Sequence, residues 1–309
     1  MRTVSKEQAP IEVVQPISRV FIANRGEIAR RILHTSQLYG PNGVGAVVAF
    51  SEADANSLPV REARILEQTD DRFATAYLGL EAPSLSYDNV QSVIDSAKAY
   101  GCDVVHPGYG FLAERPEAAH AIREAGLRFI GPPTEIIAQV GDKEKAREIA
   151  KRLDIPLLPG TSTLSSYEEA LKAARKIEFP VMVKAQNAGG GSGNRVATTE
   201  DELAAAFPAL SAQFEEVYIE KYLDHAQHIE VQIAAGKNGD VIILGERDCS
   251  AQRKFQKVIE ESPAPTLDPK VRQRMHRDAI KMAKHVKYQG LGTWEFLYDS
   301  KTNKHYFLE

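Results

Sequence analysis

The stretch Val181–Val196 reads VMVKAQNAGGGSGNRV and contains four glycines, Gly189, Gly190, Gly191 and Gly193. Glycine loses more backbone entropy on folding than any other residue, so a run of glycines indicates backbone that approaches a ligand closely or adopts positive φ. Residues that favour β structure precede the glycines and resume after them, which predicts strand, loop, strand. The stretch therefore predicts a hairpin flap able to close over a nucleotide, and a plain mobile hairpin is the alternative.

Lys184 lies at the end of the strand that leads into this flap. Successive exposed backbone N–H groups form a concavity that binds anions, and a lysine beside it adds a fixed positive charge. The Walker pattern GxxxxGK[ST] is absent, and no good helix opens at either end of the loop. We therefore expect Lys184 to bind phosphate next to a flap that is not a P-loop.

Short apolar strands alternate with helical patterns in the first part of the chain. Arg19–Ala23 is followed by a tight turn and a helix, which is how a doubly wound nucleotide-type fold begins. Further strands are predicted at Val44–Phe50, Asp103–His106 and Arg128–Ile130. The alternation favours a parallel sheet covered by helices. We expect an α/β fold with a Rossmann-like domain over residues 17–133, preceded by a flexible tail over residues 1–16.

The next segment has its own helices and strands. Ser166–Lys176 begins with a capping-type Ser-Tyr-Glu-Glu sequence, and Glu200–Phe214 is a second predicted helix after the flap. Together they predict a compact α+β lid over residues 150–222. Residues 223–309 are then expected to form the first, incomplete part of a larger domain.

Residues His228 to Ile233 alternate strictly between polar and apolar side chains. One face of this predicted strand carries His228, Glu230 and Gln232, and such a face is either solvent-exposed or part of a site. Farther along, Arg253, Lys254 and Lys257 lie among glutamates and aspartates. A salt-bridged surface and a functional site remain alternatives for this cluster.

Two strands are predicted at the end of the sequence, Gly292–Tyr298 and His305–Glu309. If the hairpin is symmetric about Thr302, Glu295 lies directly opposite Glu309. Two facing carboxylates repel each other unless a cation lies between them, and ligation by oxygen alone points to Mg²⁺ or Mn²⁺. The alternative is a shifted register that places one glutamate in water.

Composition limits the classes of partner. The formal net charge of −4 provides no basic excess for nucleic acid. Two distant cysteines, Cys102 and Cys249, indicate a reducing compartment. No apolar run reaches the length of a membrane span, and no secretory signal is evident. We expect a cytoplasmic protein, with an organellar matrix as the alternative.

The chain also carries nine motifs in a fixed order: Ile22–Ala29, His106–Leu112, Phe129–Pro132, Gly141–Lys143, Lys184 with its flap, Gly245–Ser250, Gln256–Glu261, Pro263–Pro265 and Phe307–Glu309. Together they resemble the biotin carboxylase family of ATP-grasp enzymes. The resemblance covers nearly the whole chain after the tail, and the ordered set is far more specific than any single motif.

The resemblance implies a Rossmann-like domain, a hinged ATP-grasp lid and the beginning of a large ATP-grasp domain. It also implies a ligase that uses MgATP to activate bicarbonate as carboxyphosphate. The CO₂ from this intermediate passes to the N1′ atom of biotin held on a carrier domain or protein. The family commonly forms homodimers, so a homodimer is expected.

The resemblance further assigns roles to individual residues. These are Lys143, Lys184 and the flap glycines for the nucleotide phosphates; Glu220, Lys221 and Leu223 for adenine; His228 for ribose; Gln252 for the nucleotide site; Glu295 and Glu309 for the metal; and Lys257 as the catalytic lysine beside bicarbonate.

The sequence departs from the family at three positions. Ser192 and Asn194 replace the basic residue and methionine that acyl-CoA and pyruvate carboxylases usually have in the flap, and Phe255 replaces a histidine. These departures favour the urea carboxylase branch, with a degenerate paralogue as the alternative. The family's Asn-x-Arg stretch, with its catalytic base, does not follow Glu309.

Three functions follow. The first is an N-terminal fragment of a biotin carboxylase, expected to be inactive alone. The second is a truncated, non-catalytic paralogue that binds nucleotide or pairs with a full-length subunit. The third is another ATP-grasp ligase, against which the Glu-Arg-Asp-Cys-Ser and Pro-Ala-Pro motifs argue.

Overall fold

The structure, a computed structural model, describes residues 15–39, 43–80, 82–185, 193–253 and 256–309. It divides into two compact units, one extending to Gly131 and the other from Pro132 to Glu309. No helix in the described ranges is long and apolar enough to span a membrane.

The first unit contains a five-stranded sheet with the order β3-β2-β1-β4-β5, and each of its strand pairs is parallel. The strands are β1 (Arg19–Ile22), β2 (Gly45–Phe50), β3 (Phe73–Tyr77), β4 (Val104–His106) and β5 (Arg128–Phe129). The helices are α1 (Gly26–Leu38), α2 (Leu58–Glu67), α3 (Pro83–Tyr87), α4 (Val90–Ala99) and α5 (Pro116–Glu124). All six residues of β2 are buried, as expected of a parallel strand covered on both faces. The predicted parallel α/β sheet is confirmed, although α2 and β3 were not predicted.

The loop after β4 is fixed by Asn24. Its side-chain amide donates to the carbonyl of Pro107 at 2.6 Å and to that of Tyr109 at 2.8 Å. Gly108 has a φ of +67°, and a Cβ atom there would lie 2.6 Å from Asn24 Nδ2, so glycine is required. His106 Nδ1 accepts a hydrogen bond from the Gly108 amide at 3.1 Å, and burial lowers the pKa of His106 to about 4.

The second unit begins with α6 (Thr134–Val140) and α7 (Lys143–Arg152) and then forms a small antiparallel sheet with the order β7-β6-β8. The sheet comprises β6 (Val181–Ala185), β7 (Asn194–Ala197) and β8 (Val217–Lys221). Helices α8 (Tyr167–Ile177) and α9 (Glu200–Ser211) pack on it around a shared apolar core. Strand, loop, strand is thus confirmed. Three of the predicted flap glycines, Gly189, Gly190 and Gly191, lie outside the described residues, and the separation of residues 150–222 as a lid domain stays a prediction.

A larger antiparallel sheet follows, with the order β11-β10-β9-β12-β13. Its strands are β9 (Ala226–Ala235), β10 (Val241–Arg253), β11 (Gln256–Glu261), β12 (Gly290–Asp299) and β13 (Lys304–Phe307), and α10 (Pro269–His285) packs against one face. The predicted alternation in β9 is confirmed, because Ile229, Val231 and Ile233 are fully buried in the core beneath α10. The opposite face of β9 carries the polar side chains.

The predicted register of the last hairpin is wrong by one residue. Phe296 pairs with Phe307, one residue away from the expected pairing, but the register changes beyond them. The Glu295 amide donates to the Glu309 carbonyl at 2.6 Å, and the Leu308 and Glu309 amides both donate to the Glu295 carbonyl, at 2.8 and 3.4 Å. This irregularity at Leu308 leaves Glu309 opposite Glu295, as predicted. The loop has four residues, 300–303, instead of the five that symmetry about Thr302 requires. Because the side-chain period of a strand is two, only the observed register turns both phenylalanines into the core.

Candidate active site

A cavity of about 430 Å³ lies within the second unit. Ten of the residues assigned by resemblance line it: Lys143, Lys184, Glu220, Lys221, Leu223, His228, Gln252, Lys257, Glu295 and Glu309. Gly193 lies at the end of the flap, where its carbonyl accepts a hydrogen bond from the Ala185 amide at 3.0 Å. Segments far apart in the sequence thus supply one cavity.

Lys184 and Glu220 form an ion pair across the small sheet. They lie on adjacent strands β6 and β8, and the Glu220 side chain is only 4% exposed. Arg147 Nη1 lies 3.5 Å from the other carboxylate oxygen of Glu220. A buried carboxylate requires such partners, because an unpaired charge in the interior is strongly destabilising. The Glu220 side chain is therefore engaged with two cations, and its assignment to adenine stays a prediction.

Lys143 is the first residue of α7 and also lines the cavity. Asp142 caps this helix by accepting hydrogen bonds from the Glu144 and Lys145 amides at 3.1 and 3.2 Å. The ammonium of Lys143 lies 3.1 Å from Glu309 Oε2, with both side chains partly exposed. A partly exposed ion pair contributes little to stability, so its partners separate at small cost.

Glu295 lies opposite Glu230 on the strand at its other side, a pairing that was not predicted from the sequence. The two glutamates pair across β12 and β9, whereas Glu309 follows the end of β13 and contributes its carbonyl to the Glu295 amide at 2.6 Å. Lys257 forms ion pairs with both Glu230 and Glu295, the latter at 2.9 Å. The lysine thus offsets the repulsion between two carboxylates held on neighbouring strands.

His228 completes this network. Its Nε2 lies 3.0 Å from Glu295 Oε2, and its Nδ1 lies 2.9 Å from the Gln252 amide nitrogen. With an amide donor at Nδ1, a proton on the ring lies at Nε2, facing the carboxylate. Burial by itself raises the pKa of Glu295, but His228 and Lys257 outweigh it and lower that pKa to about 2. Glu295 is consequently ionised at neutral pH.

No role was predicted from the sequence for Arg247, which lies on β10 and pairs with Glu230 of β9. Its guanidinium donates to Glu230 Oε2 at 2.7 Å and to Gln232 Oε1 at 2.9 Å. Glu230 had been placed on the polar face of β9 but was likewise given no role. The alternating pattern of β9 was the available signal, because it turns Glu230 and Gln232 towards the same side.

The donor atoms are suited to a divalent cation. His228, Glu230 and Glu295 each offer a ligand atom, and these atoms all lie within 4.8 Å of one another. Two carboxylates within such a group are ligands that Mg²⁺ and Mn²⁺ accept. Glu309 also lines the cavity but is paired with Lys143, so a shared site for Glu295 and Glu309 stays a prediction.

Two family models match the chain. Residues 16–137 match the N-terminal domain of biotin carboxylase, and residues 142–309 match the ATP-binding domain of the carbamoyl-phosphate synthase L chain. Biotin carboxylase 1 of Bacillus subtilis is 41% identical over 95% of this chain and 64% of its own length. Mouse mitochondrial pyruvate carboxylase is 41% identical over 96% of this chain and 25% of its own length.

Solved structures agree with these matches. A Campylobacter jejuni biotin carboxylase in a beta-gamma-ATP complex has a TM-score of 0.84 and 40% identity, covering 95% of this chain and 65% of that one. The biotin carboxylase domain dimer of Hydrogenobacter thermophilus 2-oxoglutarate carboxylase, with MgADP, ADP and bicarbonate, has a TM-score of 0.83 and 35% identity, covering 96% of this chain and 64% of that one. The chain spans about 64% of the length of its Bacillus relative. It belongs to the biotin carboxylase family of ATP-grasp enzymes.

Proposed function

We propose that the second unit binds MgATP and bicarbonate for the ATP-dependent carboxylation of biotin. The observation that carries this proposal is the single cavity lined by Lys143, Lys184 and Lys257 together with the carboxylates of Glu295 and Glu309. Three ammonium groups suit a triphosphate and a small oxyanion, and the carboxylates suit a divalent cation. The complete protein would then carry out the biotin carboxylase half-reaction.

Lys143 and Lys184 act as phosphate ligands in this proposal. Each now has a carboxylate partner, Glu309 for the first and Glu220 for the second. A triphosphate competes for the same ammonium groups, and charge-assisted hydrogen bonds to phosphate are strong. Lys221, Leu223, His228 and Gln252 line the rest of the cavity and would contact adenine and ribose.

The metal would be held by Glu295 with Glu309, and Glu230 lies directly opposite Glu295. When bound, such a cation neutralises the negative charge of the transferring phosphoryl group. Glu295 is prepared for this role because its lowered pKa keeps it ionised. His228 and Gln252 orient its carboxylate through the imidazole.

Lys257 would hold bicarbonate, and Arg247 lies in the same charged network through Glu230. In the proposed reaction an oxygen of bicarbonate attacks the γ-phosphorus, the bond to ADP breaks, and carboxyphosphate forms. Carboxyphosphate then separates into CO₂ and phosphate, and biotin N1′ loses a proton as it bonds to CO₂. Holding the two reactants in contact lowers the entropic part of the barrier for such a step.

The transfer of an oxygen atom from bicarbonate to phosphate tests this function. With bicarbonate labelled by ¹⁸O, the native-length protein with MgATP and free biotin should release phosphate that carries one ¹⁸O atom. Lys257→Gln should abolish the labelled phosphate. Unlabelled phosphate would mean that water attacks ATP. Phosphate release at the same rate with and without bicarbonate would refute the proposal.

Another ATP-grasp ligase is the competing proposal, since residues 142–309 match a domain named for carbamoyl-phosphate synthase. The match of residues 16–137 to a biotin carboxylase domain favours the carboxylase. We further propose that the protein works in the cytoplasm or an organellar matrix, that biotin is presented on a carrier domain or protein, and that a homodimer forms.

A further inference from the structure

Helix α10 carries a basic stripe along one face, at Lys270, Arg274, Arg277, Lys281 and Lys284. Successive members are separated by four, three, four and three residues, a spacing that aligns side chains on one side of a helix. The opposite side carries Val271, Met275, Ala279 and Met282, which are fully buried in the core. Two other basic residues of α10, Arg272 and His276, are paired with Glu246 and do not belong to the stripe.

A second cavity, of about 640 Å³, lies beside the middle of this stripe. Arg274, Arg277 and Lys281 line it from α10, and Lys304 lines it from β13. None of these residues lines the nucleotide cavity described above. The volume falls within the range of about 300–1,000 Å³ that is common for small-molecule sites.

The charges around the second cavity are unbalanced. Four cationic side chains face two carboxylates, Asp154 and Asp278, in a chain whose net charge is −4. One of these carboxylates already has a partner, because Asp278 Oδ2 lies 2.7 Å from the buried His305 Nε2. Positive charge is therefore concentrated here against the overall charge of the protein.

Two of the cations are also unpaired. Within the described parts of the chain, the side chains of Arg277 and Lys304 make no hydrogen bond and no ion pair, whereas Arg274 donates to the Asn303 carbonyl at 2.8 Å. Lys281 lies 3.9 Å from Asp278, at the limit of an ion pair. Arg277 and Lys304 come from different elements, so an anion in the cavity would be held from two directions.

We propose that this cavity binds a small multivalent anion that carries at least two phosphate or carboxylate groups. Arginine presents a planar set of donors that matches both groups, and the lysines add charge without a fixed direction. Four cations on α10 and β13 line the cavity, so an anion with two or more charged groups matches their number better than a single oxyanion does. The site is independent of the nucleotide cavity and of the reaction proposed for it.

Isothermal titration with tripolyphosphate and, separately, with citrate tests the proposal in metal-free buffer. The Lys184→Met variant serves as the host protein, to weaken binding in the nucleotide cavity. The double variant Arg277→Gln/Lys304→Gln should raise the Kd of the bound probe by at least about tenfold, or about 1.4 kcal/mol. Lys270→Gln/Lys284→Gln removes the same charge from the ends of the same stripe, and should change the Kd less than about threefold because both ends lie outside the cavity.

Binding of tripolyphosphate alone would assign the site to phosphates, and binding of both probes would assign it to multivalent anions in general. Equal weakening by the two double variants would overturn the proposal, since it would mean attraction to a charged surface rather than a site. No binding of either probe at millimolar concentration would overturn it too. Capture of a glutamate-rich peptide without binding of small anions would also contradict it and indicate a protein-docking surface.

Discussion

Replacing Lys184 by methionine should weaken both MgATP binding and folding, and the two effects have separable causes. Methionine retains most of the volume of the lysine stem but removes the charge. Lys184 now pairs with Glu220, whose side chain is only 4% exposed. The substitution therefore leaves a buried carboxylate with Arg147 as its remaining cation, 3.5 Å away.

Removing one partner of a buried ion pair costs about 3–5 kcal/mol, because the other charge is left uncompensated. Arg147 retains part of the compensation, so we expect a cost of about 2–3 kcal/mol in the free energy of unfolding of Lys184→Met. A hydrogen bond to a charged group contributes about 1.5–3 kcal/mol. The Kd for MgATP should accordingly rise about 10- to 150-fold.

The double variant Lys184→Met/Glu220→Gln separates the two effects. The neutral amide introduced by Glu220→Gln needs no cation, so most of the lost free energy of unfolding should return. The affinity for MgATP should stay low. Urea unfolding monitored by far-ultraviolet circular dichroism gives the free energy of unfolding, and isothermal titration calorimetry gives the Kd for MgATP. Together with the parent and the single variant Glu220→Gln, these proteins form a double-mutant cycle.

Restored MgATP affinity in the double variant would refute the reasoning, because it would mean that Lys184 acts only by neutralising Glu220. Unchanged affinity in the single variant would show that Lys184 does not bind phosphate. A single variant as stable as the parent would show that Arg147 alone satisfies Glu220.

Three other predictions concern individual charges. Burial lowers the pKa of His106 from 6.5 to about 4, so between these pH values the unfolded chain binds a proton at His106 that the folded protein does not. The free energy of unfolding of the first unit should therefore fall by about 3 kcal/mol from pH 6.5 to 4. In His106→Asn, which retains an acceptor for the Gly108 amide, urea unfolding at several pH values should show a weaker dependence, and an equal slope would contradict this. Asp54→Asn, which replaces the buried partner of the half-exposed Arg25 by a neutral amide, should cost about 1.5–3 kcal/mol in thermal unfolding, the contribution of a hydrogen bond to a charged group. A loss below about 0.5 kcal/mol would argue against it. Glu295→Gln should weaken Mn²⁺ binding at least about tenfold by electron paramagnetic resonance, and unchanged affinity would exclude Glu295 as a ligand.

Local sequence patterns were sufficient to predict most of the framework. Alternating apolar strands and helices predicted the parallel sheet, and polar alternation predicted which face of β9 is buried. The glycine run predicted a hairpin, and β6 indeed pairs with β7 through Lys184 and Asn194. These features follow from periodicity and backbone entropy within short segments.

The errors arose where distant segments meet. The hairpin register was predicted one residue away from the observed pairing of Phe296 with Phe307, although the irregularity at Leu308 still leaves Glu309 opposite Glu295. The pairing of Glu295 with Glu230, on the other side of β12, was not predicted. Strands β9 and β12 are neighbours in the sheet but are separated in sequence by two strands and a helix. Sequence alone did not show this pairing, nor the contact of Arg247 with Glu230.

The departures from the family pattern are only partly described by the structure. Asn194 begins β7 and lines the nucleotide cavity, directly across from Lys184. Ser192 and Phe255 lie outside the described residues. The preference for the urea carboxylase branch therefore stays a prediction.

A crystal structure of the protein with a non-hydrolysable MgATP analogue tests the central claim most directly. The account predicts the triphosphate within hydrogen-bond distance of Lys143 and Lys184, with the metal on Glu295 and Glu309 and the adenine beside Lys221 and Leu223. In the same structure, Lys143 should no longer form an ion pair with Glu309, and Lys184 should no longer form one with Glu220. A nucleotide bound elsewhere, or a triphosphate in this cavity that leaves both lysines on their glutamates, would contradict the account.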